Sequence, residues 1–291
     1  MSNDKQMIRF FSFSQFHNKI PPTGSTKIRV NQLIKYWDGA DLYKYGENPD
    51  VLIFQKVYCT QDYKYPAHFE GLKILDVCDP DWLDNMPIKE TVDAVDAITC
   101  SSQPLVDFIK QLTDKPVLLI PDRFDLEEIP PTKEHTGDAK RVVWFGYRHN
   151  HTPLKSALPY IEKHGLELLV ISDDNPILEQ YRPTMKSKLV YKKYQDETIY
   201  KLLQTADYAV LPLGVRPHDK FKSNNRTVKA ILAGLPVATT VEDLSEFKTA
   251  DNRNKYIARE YDKIKHEYDV KKSVEQYKEL IDGLRSRNNK N

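Results

Sequence analysis

The residues with the clearest capacity for chemistry lie late in the chain, in the stretch Lys220-Phe-Lys-Ser-Asn-Asn-Arg226-Thr-Val-Lys-Ala-Ile-Leu-Ala-Gly234-Leu-Pro-Val237. It reads as a basic, Asn- and Ser-rich loop opening a helix, with Ser223 or Asn224 placed as the cap and Gly234 as the C-terminal stop. A helix N-terminus presents amide N–H groups and about half a positive charge, so an anion is stabilised there. Lys222 just before the start and Arg226 in the first turn add cations where the dipole disfavours them, by ~0.3–1 kcal/mol each unless an anion lies between them. That local conflict predicts an anion site formed by Lys222 and Arg226 at the helix N-terminus. At the other end of the chain, His17 lies close to the end of the first strand candidate, where it could act as a base or a hydrogen-bond donor.

These residues need a scaffold, and short apolar runs alternating with segments of helical period supply one: β-α units closing a parallel sheet, twice over. In the first half the strand candidates are 8–13, 51–55, 73–76, 97–99 and 117–120, with helices at 27–37 and 102–112. In the latter helix Ser102 can cap, Pro104 suits the first turn, and Leu105, Phe108, Ile109 and Leu112 share a face. A Pro- and Gly-containing charged stretch around 121–137 lacks apolar period and reads as an interdomain linker. The second series runs through strand 141–145, helix 154–164, strands 167–171 and 189–191, helix 197–204, strand 208–211, helix 225–233 and strand 237–239. The expected fold class is therefore α/β, two Rossmann-like doubly wound domains facing across a cleft. The expected extents are 1–130, 131–250 and a C-terminal helical region, 251–291, which packs back across the domains through Tyr256, Ile257, Tyr261, Ile264 and Tyr268. Ligands of such sheets sit beyond the carboxyl ends of the strands.

With these elements in order, the chain resembles a family. Arg226-x-x-Lys-Ala-x-Leu-Ala-Gly-Leu-Pro-Val is similar to the donor-site helix of retaining GT-B glycosyltransferases of the glycogen-synthase-like group. Val142-Val-Trp-Phe-Gly146-Tyr-Arg148 resembles the strand and glycine turn opening that family's second domain, and Thr205 to Pro212 resembles its aspartate, apolar strand and proline segment. Leu119-Ile-Pro-Asp-Arg-Phe-Asp125 resembles the end of the first domain, and Leu75 to Trp82 a segment near the acceptor cleft.

The resemblance implies a hexosyl- or pentosyltransferase that moves a sugar from a nucleotide-sugar donor to an acceptor hydroxyl, with retention of configuration. The donor is a substrate, and neither a cofactor nor a metal is implied. Arg226 and Lys222 would clamp the diphosphate, Gly146, Arg148 and Asn225 would lie against the donor, and Gly24 and Ser25, in the loop Pro21 to Arg29, would line the cleft. Three places depart from the family pattern. Phe221 and Lys229 stand where two glutamates flank the donor loop, Cys78 stands where a histidine is usual, and Asp122-Arg123 replaces Asn-Gly. The missing glutamates suggest one alternative to the transferase, a non-catalytic sugar-nucleotide-binding partner subunit; a nucleotide-sugar epimerase on the same architecture is another. The acceptor is left open among a saccharide, a lipid-linked sugar, a protein and a modified nucleobase in DNA.

Composition bounds these readings. The 291 residues suit two domains, and 40% hydrophobic with 29% charged residues excludes wholesale disorder. No apolar run reaches the ~18 residues of a membrane span, and the polar start lacks a signal-peptide pattern, so the expected location is the cytoplasm. Cys59, Cys78 and Cys100 form neither a disulfide framework nor a zinc pattern. The Asp79-Pro-Asp81 pair reads as an ordinary turn. Residues 1–130 carry 14 lysines and arginines against 20 carboxylates, net −6, whereas 131–291 carry 29 against 22, net +7. The basic half is where an anionic ligand is expected.

Overall fold

The computed structural model describes residues 6–59, 69–174, 180–183 and 185–288. Two compact units emerge. The first comprises the chain up to Asp125, the short piece Lys220–Ser223 and everything from Tyr268 onward; the second comprises Leu126–Asp219 and Asn224–Glu267. The division thus falls after Asp125 rather than near 130, and the C-terminal region is shared between the units instead of forming a body of its own.

The first unit holds a six-stranded, all-parallel sheet in the order β2-β1-β3-β4-β5-β6. Its strands are β1 (Ile8–Ser12), β2 (Ala40–Leu42), β3 (Val51–Gln55), β4 (Leu72–Val77), β5 (Ala97–Cys100) and β6 (Val117–Leu119). Alternate residues face opposite sides, as the two-residue period of a strand requires. Phe11, Leu52, Phe54, Leu75, Val77 and Ile98 pack on one face. Ile8, Phe10, Val51, Ile53, Ile74 and Ala97 pack on the other, beneath Val274, Tyr277, Leu280 and Ile281 of helix Val270–Asn288. The edge strand β2 escapes sequence reading because Ala-Asp-Leu carries no apolar run. Cys78 and Cys100 are buried thiols and Cys59 is half-buried.

The second unit holds five parallel strands in the order β11-β10-β7-β8-β9. These are β7 (Arg141–Phe145), β8 (Glu167–Ser172), β9 (Leu189–Lys193), β10 (Tyr208–Val210) and β11 (Val237–Ala238). The helix expected over 154–164 divides into a 3-10 turn, Thr152–Ser156, and helix Leu158–Lys163, each with a proline in its first turn. In both sheets the chain winds outward from a central strand and then reverses direction, between β1 and β3 in the first and between β7 and β10 in the second. Such a reversal opens a crevice at the carboxyl ends of the strands.

The stretch taken as a linker is built into structure. Phe124 exchanges backbone hydrogen bonds with Tyr268 and Val270 in the first unit. In the second unit the His135 ring bonds Gly234 O through Nε2 at 2.8 Å, and its amide donates to Asn254 Oδ1 at 3.0 Å. Charged residues without apolar period are here held by backbone and side-chain hydrogen bonds, which a hydrophobic pattern does not register.

Candidate functional site

In the second unit, four apolar residues of β7 are buried and the strand ends in a glycine that its surroundings demand. Gly146 has φ +149°, a conformation L side chains rarely adopt. A Cβ built there would lie 3.2 Å from Arg226 Nη1 and 3.4 Å from its Cδ. Gly146 and Arg226, some eighty residues apart in sequence, are therefore in contact.

Arg226 belongs to helix Asn225–Leu232, whose buried face is Val228, Ala230, Ile231 and Leu232. The helix stops in a Schellman turn: Gly234, at φ +80°, donates to Ile231 O at 2.8 Å, and Leu235 donates to Ala230 O at 2.9 Å. The stop assigned to Gly234 is thus the observed one. Of the two expected caps, Asn224 holds the N-cap position, without a side-chain bond to the first turn. Ser223 Oγ donates instead to Asp122 Oδ2 at 2.6 Å within the first unit. The Arg226 guanidinium reaches Phe145 O at 3.4 Å, a long contact for a charged donor. Burial pulls its pKa below the usual arginine value; the nearby charge of Asp219 opposes the shift and that of Arg216 adds to it. Asn225 stands beside it in the same first turn.

Arg148, in the loop after Gly146, and Lys229, one turn along the helix from Arg226, each have charged or aromatic partners. The Arg148 amide donates to Asp173 Oδ1 at 2.8 Å and its guanidinium pairs with Asp174. Lys229 Nζ donates to Tyr194 OH at 3.0 Å and lies over the rings of Tyr194 and Tyr200.

The remaining candidates belong to the first unit. Lys222 Nζ pairs with Asp79 Oδ1 at 3.1 Å, and its neighbour Phe221 sits edge-on to Trp82 in a stack with Phe108, while Phe221 O accepts from Ser102 Oγ. Ser102, expected as a helix cap, makes no capping bond to its own helix. His17 closes the turn after β1, with its ring against Phe13 and Phe16. Burial lowers its pKa first, followed by the charges of Lys19 and Lys56. Gly24 opens a short helix capped by Thr23, and Ser25 Oγ lies 3.2 Å from Thr23 Oγ1. Ser14, Thr26 and Gln55 tie that loop to the ends of β1 and β3. At the end of β3, Lys56 adopts the left-handed conformation, φ +54°, uncommon for a lysine. Its ammonium lies 2.7 Å from Asp79 and 3.2 Å from Asp81. Burial raises Asp81, whereas in Asp79 the charges of Lys56 and Lys222 outweigh burial and lower it. The Asp79-Pro-Asp81 turn is thus also a lysine clamp.

Deeper in the same sheet, Arg29 forks onto Asp76 at 2.6 and 2.7 Å and reaches Asp122 at 2.9 Å, with Thr99 and Tyr277 completing a buried polar network. Arg123 bonds Ser273 and Gln276 of the last helix. The Asp122-Arg123 pair therefore acts as an internal fastening.

The structure brings Arg226, Asn225 and Gly146 together in the second unit and places Lys222, His17, Gly24 and Ser25 in the first. Sequence reading missed Arg216, Asp219 and Lys56. An Arg-x-x-Asp pair two residues after Gly214 was the available signal for the first two.

No protein-family model matches the chain, and no curated protein matches it. Solved structures do. A glycosyltransferase from Rickettsia africae aligns over 97% of this chain and 99% of its own with TM-score 0.63 at 10% identity. Anabaena Alr3699/HepE, solved in complex with UDP and glucose, aligns over 96% of this chain and 99% of its own with TM-score 0.62 at 11% identity. TarM aligns with TM-score 0.58 at 9% identity over 79% of this chain, which spans 54% of TarM's length. The chain has the α/β architecture of GT-B glycosyltransferases, with two parallel sheets and their helices. Among the described residues, no helix is long and apolar enough to cross a membrane.

Proposed function

We propose that the protein is a glycosyltransferase that moves a sugar from a nucleotide-sugar donor to an acceptor hydroxyl. One observation carries the reading: a desolvated arginine, Arg226, lies over the Gly146 turn at the carboxyl end of β7, and among the described residues its guanidinium has no more than a 3.4 Å carbonyl contact to occupy it. A cation in that state gains most from an anion. The shared fold supports the reading, and HepE, on that fold, was solved with UDP and glucose.

In the proposed reaction the acceptor oxygen bonds to the anomeric carbon as the bond from that carbon to the diphosphate oxygen breaks. The acceptor proton passes to an oxygen of the departing diphosphate on the same face, so configuration is retained. Charge on the leaving oxygens grows along this path, and Arg226 stabilises it more in the transition state than in the ground state. The clamp is this cation and the helix terminus, and no resident metal is invoked.

The test is turnover of UDP-, GDP- and ADP-sugars against a panel of saccharide, lipid-linked, protein and DNA acceptors. Transfer that persists in EDTA and collapses in Arg226→Ala is expected. Failure of every nucleoside diphosphate to bind would refute the reading. Phe221 and Lys229 favour one alternative, because a core-packed phenylalanine and a tyrosine-bound lysine occupy the positions of the family's glutamates. Donor binding without turnover would mark a catalytically silent partner subunit.

A further inference from the structure

Gly146 begins one of the two loops that flank the strand-order reversal in the second sheet, and the chain from Leu211 to Asp219 forms the other. Arg216 joins them. Its Nη1 donates to His149 O at 3.0 Å and its Nη2 to Asn150 Oδ1 at 3.2 Å. The same guanidinium is gripped from its own loop by Asp219, with Nε to Oδ2 at 3.0 Å and Nη2 to Oδ1 at 2.9 Å. The Arg216 amide also donates to Asp219 Oδ2 at 3.0 Å. The carboxylate rests on Gly214, where a Cβ would fall 2.1 Å from Oδ2, so only glycine leaves it room. Asp219 is 11% exposed at its side chain and Arg216 42%. The Asp219 charge opposes the shift of Arg226 and the Arg216 charge adds to it. The loop after β7 thus meets both a desolvated arginine, over Gly146, and the Arg216–Asp219 pair, at the place where a sheet of this order receives ligands.

A carboxylate and a phosphate present the same pair of oxygens to the arginine fork, and a diphosphate brings more charge. We infer that Asp219 is a built-in counter-ion standing where an anionic ligand goes, and that Arg216 exchanges it for a diphosphate oxygen when a nucleotide sugar binds beside Arg226. This rests on the donor reading and adds a second phosphate ligand to it. The Nη1 bond to His149 O is not shared with Asp219, so the strap between the loops survives the exchange. Before binding, the carboxylate offsets the repulsion between the two arginines.

Asp219→Asn in the full chain keeps the side chain's size and an oxygen for the Arg216 amide while removing the competing charge. Titrated with UDP, GDP, ADP and inorganic pyrophosphate, the variant is expected to bind those that wild type binds roughly two- to fivefold more tightly. Unchanged or weaker binding overturns the exchange and leaves Arg216 as a strut. Wild type that binds none of the four overturns the donor reading itself, so the two failures are distinct. Should the variant not fold, a crystal of wild type with the bound nucleotide decides. Arg216 within about 3.2 Å of a phosphate oxygen, and off Asp219, supports the exchange. A fork still closed on Asp219 beside the bound diphosphate refutes it.

Discussion

Replacing Arg226 with alanine separates a binding residue from a structural one, because the two roles predict opposite outcomes. As a charge-assisted ligand of a diphosphate, the guanidinium is worth about 1.5–3 kcal/mol, which corresponds to a roughly 10- to 150-fold rise in the Kd for a nucleoside diphosphate. The folded protein gains little from it. Burial and the charge of Arg216 both disfavour the cation, and a 3.4 Å carbonyl contact is its hydrogen bond. Unfolding free energy in Arg226→Ala should therefore stay within about 1 kcal/mol of wild type, and a small gain is consistent with relief of a desolvated charge. Isothermal titration with UDP, GDP and ADP, paired with urea unfolding monitored by circular dichroism, measures both quantities. A variant that loses several kcal/mol of stability while binding as wild type does would refute the reasoning and make Arg226 a structural residue.

Three further outcomes are expected. Gly146→Ala forces a Cβ to within 3.2 Å of Arg226 Nη1 at φ +149°, so donor binding should fall by at least tenfold with a stability loss of about 1–3 kcal/mol; an unchanged Kd in titration would show that the turn does not position Arg226. Phe221→Ala removes the ring edge-on to Trp82, and a loss of about 1–2 kcal/mol in urea midpoint analysis is expected for this half-buried side chain. The third concerns acid. Burial depresses His135 to about 4 against an ordinary 6.5, so the unfolded chain takes up the proton first. Stability should fall as pH drops from about 6.5 to 4, by on the order of 3 kcal/mol at most. His135→Gln should flatten that part of the profile, and an unchanged slope would acquit the residue.

Much of the sheet architecture was legible, because buried parallel strands are continuous apolar runs. Val51–Gln55 and Arg141–Phe145 coincide with their expected spans. What escaped was polar. The network of Arg29, Asp76 and Asp122 joins residues up to 93 positions apart in sequence, and no period connects them. Arg148, a donor contact by the family resemblance, meets the acidic pair after β8, a partnership that no sequence period announces. Lys222 and Arg226, four residues apart, read naturally as one clamp; the chain leaves the first unit after Ser223, so Lys222 pairs with Asp79 in the first unit while Arg226 lies over the Gly146 turn in the second. A helix stop is local and was readable at Gly234, whereas a charge partner is chosen by the fold.

The assignment of Val270–Asn288 to the first sheet has a consequence for how the protein is made. Tyr277 reaches Thr99 and Asp76, and Val274, Leu280 and Ile281 cover the face built by Phe10, Ile53 and Ile74. Translation delivers those strands well before their cover. Until that helix emerges, the nascent first sheet carries an uncovered apolar surface, the kind that recruits chaperones and aggregates when ribosomes stall. Fragments that end before residue 270 will inherit the same bare surface permanently.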